Sequence, residues 1–234
     1  MSTITITKQF CGPPDSGNGG YTCGMLARHI DGPAEVTLLL PPPLEEDMEV
    51  RHEPEGGVVL LWGEKPVARA VPAVVDLEVP QPPSFEAAQK GFVDHAWMKD
   101  HIFPTCFVCG PARSPGDGLR IFSGLVEGQE YVAAPWIPDP CFRDENGYVR
   151  EEIIWACLDC PGAWAAIVDK LKVIVLGRLA VKIMDQVKVG EHCVILGWIT
   201  SEEGRKTLVG TALFGEDGRL CANARATWIE LRTK

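Results

Sequence analysis

"EEIIWACLDCPGAWAAIV", residues 151–168, is apolar on nearly every side. Ile153, Ile154, Trp155, Ala156, Cys157 and Leu158 follow one another without a polar interruption, so a helix drawn through them has no face left for water. Such a helix has to be wrapped by other structure. Strand-like runs follow it at 174–184, 192–200, 207–214 and 220–231, and the turn-rich "SEEGRK" and "GEDGR" divide the later ones. An antiparallel sheet curled round one helix would bury it. Pro161-Gly162 should kink or divide the helix.

Outward from that stretch, the first half of the chain has the same order. Residues 3–10 alternate Thr and Ile and read as a strand, and "CGPPDSGN" is a loop. A helix is expected from Gly19 to about Ile30, with Met25, Leu26 and Ile30 on one face and Asp31-Gly32-Pro33 ending it. Strand runs follow at 34–40, 48–52, 58–62 and 67–75. Residues 80–105, with "PQPPSFEAAQKGF", read as a connector carrying a short helix, and 119–126 with 131–137 as a hairpin before the long helix. Residue identity between the halves is faint, and the order of elements is the repeat. The expected class is α+β, with a first unit over 1–79, a connector over 80–105 and a second unit over 106–234.

The net charge of −10 argues against general attraction to nucleic acid or an anionic membrane surface. No apolar run approaches the roughly 20 residues of a membrane-spanning helix. "MSTITITKQF" lacks the basic start and apolar stretch of a signal peptide, so the cytoplasm is the expected compartment. The nine cysteines are an odd number without an export signal, and they read as buried thiols or ligands rather than a disulfide framework.

"CFVCGPARSPGDGLRIF", residues 106–122, resembles the opening of many hotdog-fold thioesterase-like proteins: Cys-Phe-x-Cys-Gly-Pro, then Gly-Leu and a strand. In the family's acyl-CoA thioesterases a Gly-x-Val-His-Gly-Gly segment opens the central helix, and an aspartate often lies nine residues after the histidine. In "GYVREEIIWACLD", residues 147–159, Arg150, Glu151 and Glu152 stand in the His-Gly-Gly positions and Asp159 in that of the aspartate. In "GNGGYTCGMLA", residues 17–27, Asn18, Gly19 and Gly20 stand in the His-Gly-Gly positions, and Ala27 where the aspartate would be. The halves are complementary: one has the glycines, the other the acid. The resemblance implies a double hotdog, two antiparallel sheets each wrapped around a central helix and joined edge to edge, with one composite site between them. It implies an acyl-CoA or similar thioester as substrate, no cofactor and no metal, and it leaves room for a homodimer of such chains.

In that site, the N–H of Gly19 or Gly20 at a helix start would polarise the thioester carbonyl. Asp159 would act as general base on water or as nucleophile, and Asn18 would orient the carbonyl or the water. Tyr21, Trp155, Arg178 and Lys182 are the substrate-binding candidates, the two bases for CoA phosphates. Other readings stand beside these. Gly-Gly before a helix also suits close packing, and Asp159 before Cys160-Pro161 also suits a helix cap. Arg178 and Lys182 also suit a solvated strand face. The chain would also serve as a non-catalytic binder of acyl thioesters or lipid-like ligands, or as a scaffold. Asn18 in place of the family histidine favours such a reading. Two Cys-x-x-Cys pairs, Cys106/Cys109 and Cys157/Cys160, raise a zinc site, although their spacing is longer than in compact zinc ribbons. Ser16 is a weaker candidate nucleophile, since no Gly-x-Ser-x-Gly elbow is present.

Overall fold

The computed structural model describes residues 2–92, 101–167 and 172–231. Its strands are β1 (Ser2–Thr5), β2 (Ala34–Leu38), β3 (Asp47–His52), β4 (Val58–Trp62), β5 (Lys65–Pro72), β6 (Gly124–Leu125), β7 (Val132–Trp136), β8 (Ile174–Ile183), β9 (Cys193–Glu203), β10 (Lys206–Phe214) and β11 (Leu220–Glu230). Its helices are α1 (Gly19–Ala27), α2 (Phe85–Phe92), α3 (Glu151–Cys157) and α4 (Cys160–Ile167).

The strands form one antiparallel sheet in the order β1-β3-β4-β5-β2-β8-β11-β10-β9-β7-β6. The expected pair of sheets, joined edge to edge, is hydrogen-bonded into this one sheet. The order is nevertheless a repeat. Read from its outer edge, the first half runs first, third, fourth, fifth, second. The second half runs the same way through β7, β9, β10, β11 and β8, with β6 added outside. The seam is the pair β2–β8, in which Val36 faces Leu179 and Glu35 faces Ala180. Val36 and Leu179 are fully buried. On the solvent side Glu35 takes Arg178 at 3.4 Å and Arg225 at 3.1 Å. The alternation of side chains along a strand thus puts core on one face of the seam and an ion cluster on the other.

The helices lie against the buried face of this sheet. From Ile153 to Leu158 every residue is buried, as the unbroken apolar run requires. Each large side chain there contributes about 1.5–3 kcal/mol on leaving water. The expected single helix is divided, but at Leu158-Asp159 rather than at Pro161-Gly162. Pro161 sits in the first turn of α4, where its missing N–H breaks no helical hydrogen bond. Val168, the expected end of that helix, lies outside the described residues. The first helix also ends earlier than its spacing predicts, at Ala27.

α1 crosses α3 at very close range, and two glycines permit it. A Cβ on Gly20 would lie 2.6 Å from Asp159 Cβ and 2.8 Å from the Trp155 carbonyl oxygen. A Cβ on Gly24 would lie 2.7 Å from Glu152 Cα and from Trp155 Cβ. All four distances are well below van der Waals contact, so only glycine fits at either position. Gly20 is therefore a packing requirement, one of the two readings that the Gly-Gly sequence allows.

Candidate active site

The approach of the two helices brings together residues some 140 positions apart. Asn18 is the N-cap of α1, and its Oδ1 accepts the Tyr21 N–H at 2.8 Å. Its Nδ2 donates to Asp159 Oδ2 at 2.8 Å, and the Gly20 N–H donates to the same oxygen at 2.9 Å. Asp159 is held in the short break between α3 and α4, pointing at the start of α1. It is fully buried, and Oδ1 has no hydrogen-bonding partner among the described residues. Burial pushes its carboxyl up to about 7, against the opposing pull of the Gly20 N–H and the Asn18 amide.

Asn18, Gly19 and Asp159 line a cavity of about 750 Å³. The rest of its wall is chiefly apolar, including Leu38, Phe103, Trp164, Ile174, Leu176 and Trp228. Leu39, Leu40, Ile102 and Leu231 line it while staying partly open to solvent, which gives the cavity an apolar rim. Lys172 also borders it, paired with Glu230 at 2.9 Å. The arrangement offers an acceptor at Asp159, the partial positive charge of a helix start and a chain-sized apolar space.

Among the expected site residues, Asn18, Gly19, Gly20 and Asp159 are brought together. The amide of Asn18 is committed to capping α1 and holding Asp159, so it positions the carboxylate. The Gly20 N–H is likewise committed to Asp159. Gly19, the first helical residue, keeps an N–H with no partner inside the helix. Tyr21, Trp155, Arg178 and Lys182 do not line the cavity. The Tyr21 ring stacks on Phe10 at 3.9 Å, and burial raises its hydroxyl to about 12. Trp155 is buried against Gly24, Arg178 belongs to the seam cluster, and Lys182 is exposed on β8. Ser16 lines the cavity, but no histidine is hydrogen-bonded to it among the described residues.

Other groups stand on this wall, three of them from the two Cys-x-x-Cys pairs. Cys106, Cys109 and Cys160 meet there, their sulfurs within 4.8 Å of one another. The fourth thiol of the two expected pairs, Cys157, turns away and donates to the Ile154 carbonyl oxygen at 3.1 Å. His101 also borders the cavity. Its Nδ1 accepts the Phe103 N–H at 3.0 Å, and Nε2 has no partner. The Cys-Phe-Val-Cys-Gly motif was the available signal for the thiols. His101 had none.

A sheet of this order curled over central helices is the hotdog fold. No protein-family model matches the chain, and no curated protein matches it. Among solved structures the chain is similar to the tesB protein of Mycobacterium avium subsp. paratuberculosis, with 14% identity and a TM-score of 0.64 over 98% of this chain and 92% of that one. It is also similar to the acyl-CoA thioesterase II TesB2 of Mycobacterium marinum, with 12% identity and a TM-score of 0.62 over 99% and 93%. The chain has the fold of TesB-type thioesterases along nearly its whole length. No helix among its described residues is long and apolar enough to cross a membrane.

Proposed function

We propose that the chain is a thioesterase that hydrolyses acyl-CoA or related thioesters at one composite site, with the helix start of one hotdog unit and the carboxylate of the other. The observation that carries this reading is the Asp159 carboxylate, held by Asn18 and Gly20 at the wall of an apolar cavity with its second oxygen unpartnered. The acyl chain occupies the apolar space. The thioester carbonyl faces the N-terminus of α1, where the Gly19 N–H and the helix dipole stabilise the developing oxyanion. Asp159 Oδ1 takes a proton from water as the water oxygen attacks the carbonyl carbon. The tetrahedral intermediate collapses with cleavage of the C–S bond, and the departing sulfur takes the proton held on Asp159 and leaves as a thiol, which restores the carboxylate.

The test is turnover of acyl-CoAs of increasing chain length by the wild type and by Asp159→Asn. The reading predicts hydrolysis by the wild type and a drop in kcat/KM of about 100-fold or more in the variant. Unchanged hydrolysis in Asp159→Asn removes this residue from the mechanism. Saturable acyl-CoA binding without turnover by the wild type would leave a binding protein instead.

A further inference from the structure

We infer that Cys106, Cys109 and Cys160 form a binding site for a thiophilic divalent metal of the zinc type, with its fourth coordination position facing the cavity. Three thiolates at about 2.3 Å from a tetrahedral zinc ion stand about 3.8 Å from one another. Cys106 Sγ and Cys160 Sγ are 3.7 Å apart, and all three sulfurs fall within 4.8 Å. The separation of the nearest pair matches a tetrahedron edge and is far longer than the roughly 2.05 Å of a disulfide.

The surroundings are built for a thiolate. Residues 106–110 form a turn closed by the Gly110 N–H donating to the Cys106 carbonyl oxygen at 2.9 Å. A Cβ on Gly110 would lie 2.6 Å from the Cys106 nitrogen, so the turn requires glycine. Asn18 Nδ2 donates towards the Cys106 sulfur at 4.0 Å. Donors around a ligand sulfur are the second shell that a metal thiolate uses. Cys160 comes from the first turn of α4, so the ion would tie the 106–110 turn to the central helix.

All three cysteines line the cavity, and no fourth metal-binding side chain joins the cluster among the described residues. His101 stands nearby on the same wall. Because its Nδ1 accepts a hydrogen bond, the neutral ring carries its proton on Nε2, and neither ring nitrogen is free to act as a ligand. The fourth position is left to water or to a thiol entering the cavity. This inference stands independently of thioester hydrolysis, and its test reads no activity.

The full-length protein, purified without chelator, is expected to contain about one zinc per chain by elemental analysis. Cys106→Ser and Cys109→Ser should each lose most of that metal, while Cys157→Ala retains it. Because a ligand variant can fail to fold, wild-type protein produced with cobalt is the second measurement. It should show thiolate-to-cobalt charge transfer and intense tetrahedral ligand-field bands, and 2-mercaptoethanol should shift the latter by occupying the open position. The metal site is overturned by metal-free wild type that also fails to develop the cobalt spectrum, by a Cys106–Cys160 disulfide in mass spectra of unreduced protein, or by metal retained in both ligand variants. Ligand-field bands unmoved by the thiol would overturn the open fourth position.

Discussion

α1 and α3 are pseudo-symmetric counterparts, yet their beginnings are chemically opposite. Asn18 caps α1 with its side chain, and Gly20 donates its N–H to a carboxylate from across the crossing. Arg150 occupies the N-cap of α3 without a side-chain capping bond. Glu152, counterpart to Gly20, folds its buried carboxylate onto Arg150 at 3.1 Å and reaches Arg28 at 4.0 Å. One helix start thus presents backbone donors to an external acid, and the other closes itself with its own ion pair. Ala27 completes the contrast, standing where symmetry with Asp159 would place a second acid. The two helix starts hold equivalent places in the element order, and the proposed chemistry rests on one of them.

Neutralising the two buried carboxyls separates these places most strongly. Asp159→Asn is expected to lower kcat/KM by about 100-fold or more, and Glu152→Gln to leave it within about twofold, both read from acyl-CoA hydrolysis. Equal losses would mean that the second place also works. Next in size, Ala27→Asp tries to restore the missing acid. It puts a carboxyl at a buried position, so a loss of about 3 kcal/mol in denaturant unfolding is expected, without a gain in activity. Increased turnover in that variant would break the asymmetry. Gly20→Ala should destabilise by about 1–3 kcal/mol, because the added methyl meets the Trp155 carbonyl and Asp159. The smallest effect is that of Glu152→Gln on stability, below about 1 kcal/mol, since Arg28 and Arg150 are both partly exposed and lose little.

Much of the fold was legible because its signals are local. The apolar run 153–158 demanded a wrapping sheet, and nine of the eleven strands fall close to their expected ranges. The strand expected at 3–10 is shorter, because after Thr5 the chain leaves the sheet and Lys8–Phe10 form a 3₁₀ turn. The hairpin's first arm likewise shrinks to Gly124–Leu125. Asn18, Gly19, Gly20 and Asp159 were legible as a group only through complementarity between the halves. What Gly20 touches was not, since Asp159 and Trp155 are more than 130 residues away. The cysteines show a different failure. Cys157 and Cys160 share a spacing that places them together on a continuous helix, but the break at Asp159 sends their sulfurs to different environments. Pro161, which has no N–H to give the Cys157 carbonyl, is a local signal for a break, but where the break sends each sulfur is set by packing that no local pattern records.

The central claim, that the acid of one half works against the helix start of the other, is tested most directly by a double-mutant cycle on kcat/KM for acyl-CoA hydrolysis. The cycle uses Asn18→Ala, Asp159→Asn and the double variant. If Asn18 acts by positioning Asp159, Asn18→Ala lowers kcat/KM by about 10-fold in the wild-type background and has almost no further effect once Asp159 is asparagine. Losses that simply add would contradict the composite site.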